Sequence, residues 1–228
     1  HGVVVRPPDV NHSDWDCTLE PLDPFDGPPA TPEGGARRAV RLGLRQIKGL
    51  SEITAARVMA ARAEGGLFDS VEDLARRARL QRAETDRLAA GDAFGSLASR
   101  REAGWRALAQ SGPDLPLFAA GGERHGPDLS GARLPVMALS EEVARDYSTL
   151  SLSLKAHPVS FLRPAIAEAG YRTCAELLTA RNGARVGVAG LVLVRQRPGT
   201  AKGVIFATLE DETGVVNVVV WAKVYEAF

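Results

Sequence analysis

Ile47-Lys48-Gly49-Leu50-Ser51 sets a lysine and a glycine between two large apolar side chains, directly before an alanine-rich run. That order suits a tight turn opening a helix, with Ser51 as N-cap and Glu52 in the first turn, where the helix dipole favours an anion. Consecutive backbone N–H groups at such a turn aim outward at the positive end of a helix, an arrangement that holds a phosphate oxygen without reading a base. Gly49 lets a ligand approach the backbone, Lys48 adds a charge, and Leu50 pins the turn to the core. A glycine between two helices is also what an ordinary turn uses, and the residues leave both readings open. Arg79 and Arg82 lie in a later turn that lacks glycine; they are candidate phosphate contacts on a companion hairpin that mainly packs.

A second group is Arg195, Arg197 and Lys202, on a connection between β-rich runs, with Phe206, Trp221 and Tyr225 on the neighbouring runs. Basic loops beside stackable aromatics make a platform for a single strand. The alternative is that these aromatics are core, Phe206 first among them. The carboxylates of "DVNHSDWD" (Asp9, Asp14, Asp16) sit in a Pro-rich stretch without periodicity. A two-metal phosphoryl-transfer site needs carboxylates converging from rigid strands, so these three read as turn and capping residues. His1, His12, His125 and His157 are scattered, and Cys17 and Cys174 belong to no CxxC pattern. The residues therefore assign no catalytic group, no metal and no cofactor.

The elements that must position these groups change character along the chain. Val3–Arg6 reads as a strand, followed by a loose Pro/Asp/Gly-rich connection ending near Gly35. "AVRLGL" alternates as a short extended segment. Apart from it, the stretch from roughly Arg38 to Gln110 reads as helical with short turns: a helix from Ser51 with Ile53, Ala56, Val58, Met59 and Ala60 as its apolar stripe, stopped at Gly65-Gly66, then one capped by Ser70 with Asp73, then two more. "SGPDLPLFAAGGERHGPDLSGARLP" has no period and reads as a linker. Ser140 is the expected cap of the next helix; Pro158 opens another that Pro164 splits or kinks, and Thr173 with Glu176 forms a capping box. "RVGVAGLVLVRQ", "KGVIFATLEDETG" and "VVNVVVWAKVYEAF" are three β-rich runs of an antiparallel meander, the kind that opens a five-stranded OB barrel. Three such strands leave an apolar edge, so the chain reads as a fragment. The fold class is α+β and multidomain: an extended region over 1–37, tandem helix-hairpin-helix elements over 38–110, a linker over 111–135, a small helical connector over 136–183 and an incomplete OB-fold over 184–228.

Charge sharpens the picture. The 28 Lys and Arg balance the 28 Asp and Glu, which excludes a uniformly basic nucleic-acid binder. The signs are segregated, however: acids dominate before Gly35, whereas Arg37, Arg38, Arg41, Arg45, Lys48, Arg57 and Arg62 face only Glu52 over the next stretch. A basic patch around the turn is the expectation, with a solvated helix face as its alternative. No apolar run reaches the ~18–20 residues of a membrane span, and the N-terminus shows no cleavable leader pattern. Sequence favours a cytoplasmic protein without membrane contact.

Taken together, "GVVVRPPDVNHSDWDCTLE", "VRLGLRQIKGL", "FDSVEDLARRA", "LKAHPVSFLRP" and "GLVLVRQRPGTAKGVIFATLEDETGVVNVVVW" resemble, in order and over nearly the whole chain, the C-terminal half of bacterial DNA polymerase III alpha-type enzymes. "SDWDCTLE" with "LRQIKGL" is most similar to the error-prone DnaE-type (ImuC) branch. The resemblance implies the end of the fingers before about Gly35, helix-hairpin-helix contact with duplex DNA through Lys48, Gly49, Leu50 and Ser51, and an OB domain for single strand. For the parent protein it implies magnesium-dependent, template-directed synthesis past lesions; the palm carboxylates of that family are not in this chain, which should be inactive alone. The family's hairpin usually carries a second glycine where this chain has Ser51. "DLPLF" is similar to a sliding-clamp peptide, with Leu115, Leu117 and Phe118 as its candidate contacts but without the leading Gln. Two other readings stand beside this one: a module that binds the clamp or ImuA- and ImuB-like accessory proteins, and the replicative alpha subunit.

Overall fold

The computed structural model describes residues 3–22, 38–109 and 134–227 of the chain. They fall into two compact units, His1–Leu154 and Lys155–Phe228.

The first unit opens with a small mixed sheet. Strand β1 (Val5–Arg6) runs parallel to β3 (Arg38–Arg41), and β2 (Thr18–Pro21) runs antiparallel to it, in the order β1-β3-β2. The short extended segment expected at "AVRLGL" is thus the central strand, over Arg38–Arg41, and the helical stretch follows it. Alternation explains why: Ala39 and Arg41 point inward while Arg38 stays exposed. Burying Arg41 is tolerable because Glu20 on β2 meets it with two bonds, Nε to Oε1 at 2.8 Å and Nη2 to Oε2 at 3.0 Å. Arg6 adds a third at 2.9 Å. The Arg41 bond leads the effects that hold the Glu20 carboxyl below its ordinary range.

The helices follow: a 3-10 turn at Leu44–Gln46, α1 (Glu52–Gly65), α2 (Val71–Arg77), α3 (Arg82–Ala90), α4 (Arg100–Ala109) and α5 (Leu139–Leu150). Ser51 caps α1 by accepting from the Thr54 amide, Gly66 ends it with φ +75°, and Ser70 caps α2 through the Asp73 amide, all as the sequence predicts. The α1 stripe differs. Thr54, Ala55, Val58 and Ala61 face the core, while Ile53 is 75% exposed. The buried face combines two alanines with Val58 and Thr54, and Thr54 turns inward to donate to Glu84. Helix α5 starts from Ala138, with Ser140 inside its first turn. The core gathers Val10, Leu44, Ile47, Leu50, Val58, Phe68, Val71, Leu74, Leu88 and Phe94. At roughly 1.5–3 kcal/mol for each large apolar side chain, the residues flanking the Lys48-Gly49 turn are firmly anchored.

The loop after β1 ties these pieces together. Asp9, 5% exposed, accepts from the Asn11 amide (2.8 Å), the Ser96 amide (2.8 Å) and the Ser96 hydroxyl (2.8 Å). Asn11 both accepts from the Phe68 amide (2.7 Å) and donates to its carbonyl (3.1 Å). The Val10 amide donates to Ala93 (2.8 Å), and the Leu44 amide to the Asp14 carbonyl (2.9 Å).

In the second unit a 3-10 turn (Pro158–Leu162) runs into α6 (Arg163–Glu168), so Pro164 does fall at a break, as the opening of a second short helix. Thr173 and Glu176 form the expected capping box on the four-residue α7 (Cys174–Leu177). Strands β4 (Leu191–Gln196), β5 (Ile205–Asp211) and β6 (Gly214–Val220) form an antiparallel meander in that order, with an irregularity between Val192 and Val194. The third β-rich run is shorter than expected: the chain leaves the sheet at Trp221 and forms α8 (Ala222–Ala227), closed by bonds from the Val224 and Tyr225 amides to the Trp221 carbonyl.

Asp211 holds this unit at its hairpin. It accepts from the Thr213 amide (2.8 Å) and hydroxyl (2.6 Å), from the Cys174 amide at the start of α7 (2.8 Å) and from Arg163 (2.9 Å). Burial by itself would raise this carboxyl, but the Thr213 and Cys174 donors outweigh it and hold its pKa at about 2.

Replacing Asn11 with Ala leaves two buried backbone groups of Phe68 without partners, and should cost about 3 kcal/mol in urea unfolding of the first unit. Because the folded pKa of Asp211 is below its unfolded value, its stabilisation is complete above about pH 4 and lost as pH falls through about 2. Unfolding followed between pH 5 and 2 should show a decline of about 2 kcal/mol for the second unit, absent in Asp211→Asn; parallel curves for the two proteins would refute this role.

Candidate functional site

Gly49 sits at φ +77°, a left-handed conformation that favours glycine, between the buried Ile47 and Leu50. Lys48 and Gly49 are exposed, as is Ser51. The amides of the turn fall into two sets. Lys48 N donates to the Thr149 carbonyl of α5 (2.9 Å) and Leu50 N to Ile47 (3.1 Å). The Gly49 and Ser51 amides have no acceptor among the described residues, and those of Glu52 and Ile53 precede the first intrahelical bond, from Ala55 N to Ser51 O. Unfilled donors thus gather at the start of a 14-residue helix, on an exposed surface. Glu52, also exposed there, is the one carboxylate in that first turn.

The Lys48 ammonium leans toward α5, with Nζ 3.4 Å from the Tyr147 carbonyl. On the other side of the turn stands Arg87 of α3: a Cβ placed on Gly49 would lie 3.4 Å from its Nε. Nothing in the sequence links Arg87 to a glycine on a different hairpin, so only packing reveals it.

The second turn has a parallel backbone. Arg79 occupies the left-handed position (φ +51°), Leu80 follows inward, and Gln81 caps α3. The amides of its three turn residues are engaged: Arg79 with Arg76 (3.4 Å), Leu80 with Ala75 (2.9 Å) and Gln81 with the Glu84 carboxylate (2.8 Å). The Arg82 and Ala83 amides precede the first intrahelical bonds, as Glu52 and Ile53 do in α1, so the two hairpins differ at the turn residues themselves, where the second presents side-chain charge. Arg79 is exposed, and Arg82 lies 3.9 Å from Asp86.

The expected basic patch is largely neutralised. Arg41 pairs with Glu20, Arg45 with Asp16 (2.5 Å), Arg62 with Asp14 (2.7 Å) and Arg57 with Glu84. The acidic opening of the chain and the basic stretch after it were segregated in sequence because they meet in space. Among the described residues, Lys48, Arg79 and Arg87 have no carboxylate partner, and they cluster at the two turns. Of Asp9, Asp14 and Asp16, expected as turn and capping residues, Asp9 holds its turn through the Asn11 amide, while Asp14 and Asp16 form ion pairs instead. No group of metal-ligating side chains occurs among the described residues.

In the second unit, Arg195 and Arg197 lie over the Tyr225 ring, at 5.7 and 5.3 Å from its centroid. Trp221 is 65% exposed beside an open cleft of about 550 Å³ that Lys202 and Lys223 also line. Phe206, expected in the core, is 44% exposed; its neighbour Ile205 takes the buried position at the start of β5, and alternation turns Phe206 to the other face. Leu115, Leu117 and Phe118 lie outside the described residues. No helix among the described residues is long and apolar enough to cross a membrane.

Comparison with known proteins gives the same emphasis. Residues 2–103 match the family model for the helix-hairpin-helix motif. The whole chain is 48% identical to an error-prone DNA polymerase of Caulobacter vibrioides, covering 22% of that protein. It is 46% identical to error-prone DNA polymerase 2 of Agrobacterium fabrum and 44% to error-prone DNA polymerase 2 of Rhizobium meliloti, each over 99% of this chain and 20% of the relative. The chain therefore spans about a fifth of the length of these relatives.

Proposed function

We propose that this chain, similar along its whole length to one fifth of error-prone DNA polymerases, is the part of such an enzyme that holds DNA, not the part that joins nucleotides. One observation carries the reading: the exposed Gly49 and Ser51 amides have no acceptor among the described residues and stand at a helix start, between side chains buried on both sides. Phosphate oxygens of a duplex suit these donors, and the contact is independent of base sequence. Lys48, Arg79 and Arg82 add charge, Gly49 and Leu50 shape the turn, and Ser51 substitutes for the second glycine by capping α1. In the second unit, an OB-type platform for single strand would use Arg195, Arg197 and Lys202 on phosphates and Trp221 for stacking. The parent enzyme would then carry out magnesium-dependent synthesis past lesions in the cytoplasm, with its catalytic carboxylates elsewhere in the polypeptide.

The competing reading is a docking module for ImuA- and ImuB-like accessory proteins or the clamp. It is favoured by the exposed apolar side chains of Val192, Leu193, Val215 and Val219 on the second unit's sheet.

Fluorescence anisotropy of the 228-residue chain with labelled primer–template and with single strand, at several salt concentrations, separates the two. DNA holding predicts a log–log slope worth several phosphates, lowered by about two in Lys48→Glu, which removes one charge and adds its opposite. Absence of binding to either DNA at low salt would sink the proposal.

A further inference from the structure

We infer that Arg87, delivered from the second hairpin, is a phosphate-binding residue of the first turn, and that Glu84 is the positioning residue that sets it there. The inference rests on the duplex-holding reading above and deepens it.

Three observations converge. First, the Arg87 side chain flanks Gly49 at the face where glycine has no Cβ: its Nε and Cδ would lie 3.4 and 3.7 Å from a Cβ placed there, so the guanidinium stands beside the turn. Second, Arg87 is exposed and has no carboxylate partner among the described residues, whereas Arg41, Arg45, Arg57 and Arg62 are all paired. Lys48 is drawn the other way, its amide and ammonium both directed to carbonyls of α5. An anion on the Gly49 and Ser51 amides would thus meet a planar guanidinium, which can bind a phosphate with two parallel bonds.

Third, beside the apolar packing of the core, one carboxylate bonds α3 to α1. Glu84 accepts from the Thr54 hydroxyl at 2.6 Å and from Arg57, and it closes the cap of its own helix through the Gln81 amide at 2.8 Å. Arg57 also donates to the Arg79 carbonyl at 2.6 Å, and the Thr54 hydroxyl lies 2.7 Å from the Ser51 hydroxyl of the first turn. Burial opposes ionisation of Glu84, but the Thr54 and Gln81 donors and Arg57 outweigh it and keep the carboxyl below its ordinary value. Arg87 lies three residues further along the same helix, about one turn, and its place beside Gly49 follows from where Glu84 holds α3.

The test is a salt titration of duplex binding by the 228-residue chain and its Lys48→Ala, Arg87→Ala, Arg87→Gln and Glu84→Gln variants, each checked for an unchanged melting transition. Arg87→Ala and Arg87→Gln should each weaken binding several-fold and lower the log–log slope by about one. Glu84→Gln should weaken binding although it removes a negative charge, and should have no further effect in an Arg87→Ala background, as a double-mutant cycle reads. Two results overturn the inference alone: a wild-type slope in both Arg87 variants while Lys48→Ala lowers it, or tighter binding by Glu84→Gln, the sign expected of charge without positioning. If neither Lys48→Ala nor the Arg87 variants change duplex binding, the reading of the turn fails, and this inference with it.

Discussion

The first unit depends on a buried polar loop. Asp9 and Asn11 lie among apolar side chains, and their oxygens and nitrogens are matched to backbone groups from three separate segments: the turn before α4, the α1–α2 connection and the loop itself. Unmatched, each of these buried groups would cost about 1–3 kcal/mol; matched, they fix which segments can meet. Everything nearer the surface inherits this registration. The Leu44 amide bonds the same loop at Asp14, and the 3-10 turn it begins leads directly into Ile47 and the Gly49 turn.

Charge is arranged on the same principle. A carboxylate and a guanidinium that are both partly buried must find each other, and Glu20, Asp14 and Glu84 take up three arginines in this way, while Asp16 pairs with Arg45 on the exposed surface. Lys48, Arg79 and Arg87, at the two hairpin turns, are among the described cations left without a carboxylate. A neutral chain thereby acquires a local positive surface without being basic overall, suited to transient, salt-sensitive holding of a polyanion. The two hairpins differ at the turn itself: the Gly49 and Ser51 amides of the first have no acceptor among the described residues, while the Arg79, Leu80 and Gln81 amides of the second have theirs.

Much of this was legible in the sequence. The caps at Ser51, Ser70 and Thr173 and the stop at Gly66 follow from local chemistry, which a short window contains. The left-handed glycine and the buried Leu50 follow from the same pattern. Long-range pairing was not legible. The β3 strand needed partners 17 to 35 residues away, the basic stretch could not announce its acidic partners, and Arg87 meets Gly49 only through the packing of α3. The exposed Phe206 and the helix after Trp221 were missed because an apolar run of mixed period suits several structures until a neighbour selects one.

The most direct measurement is a ¹⁵N-resolved titration of the chain with a primer–template duplex. If the turn holds backbone phosphate, the Gly49 and Ser51 amide resonances shift first and furthest, their exchange with solvent slows, and the Leu50 amide, already bonded to Ile47, moves little. Shifts confined to the second unit, or spread over both without Gly49 and Ser51, would contradict the account.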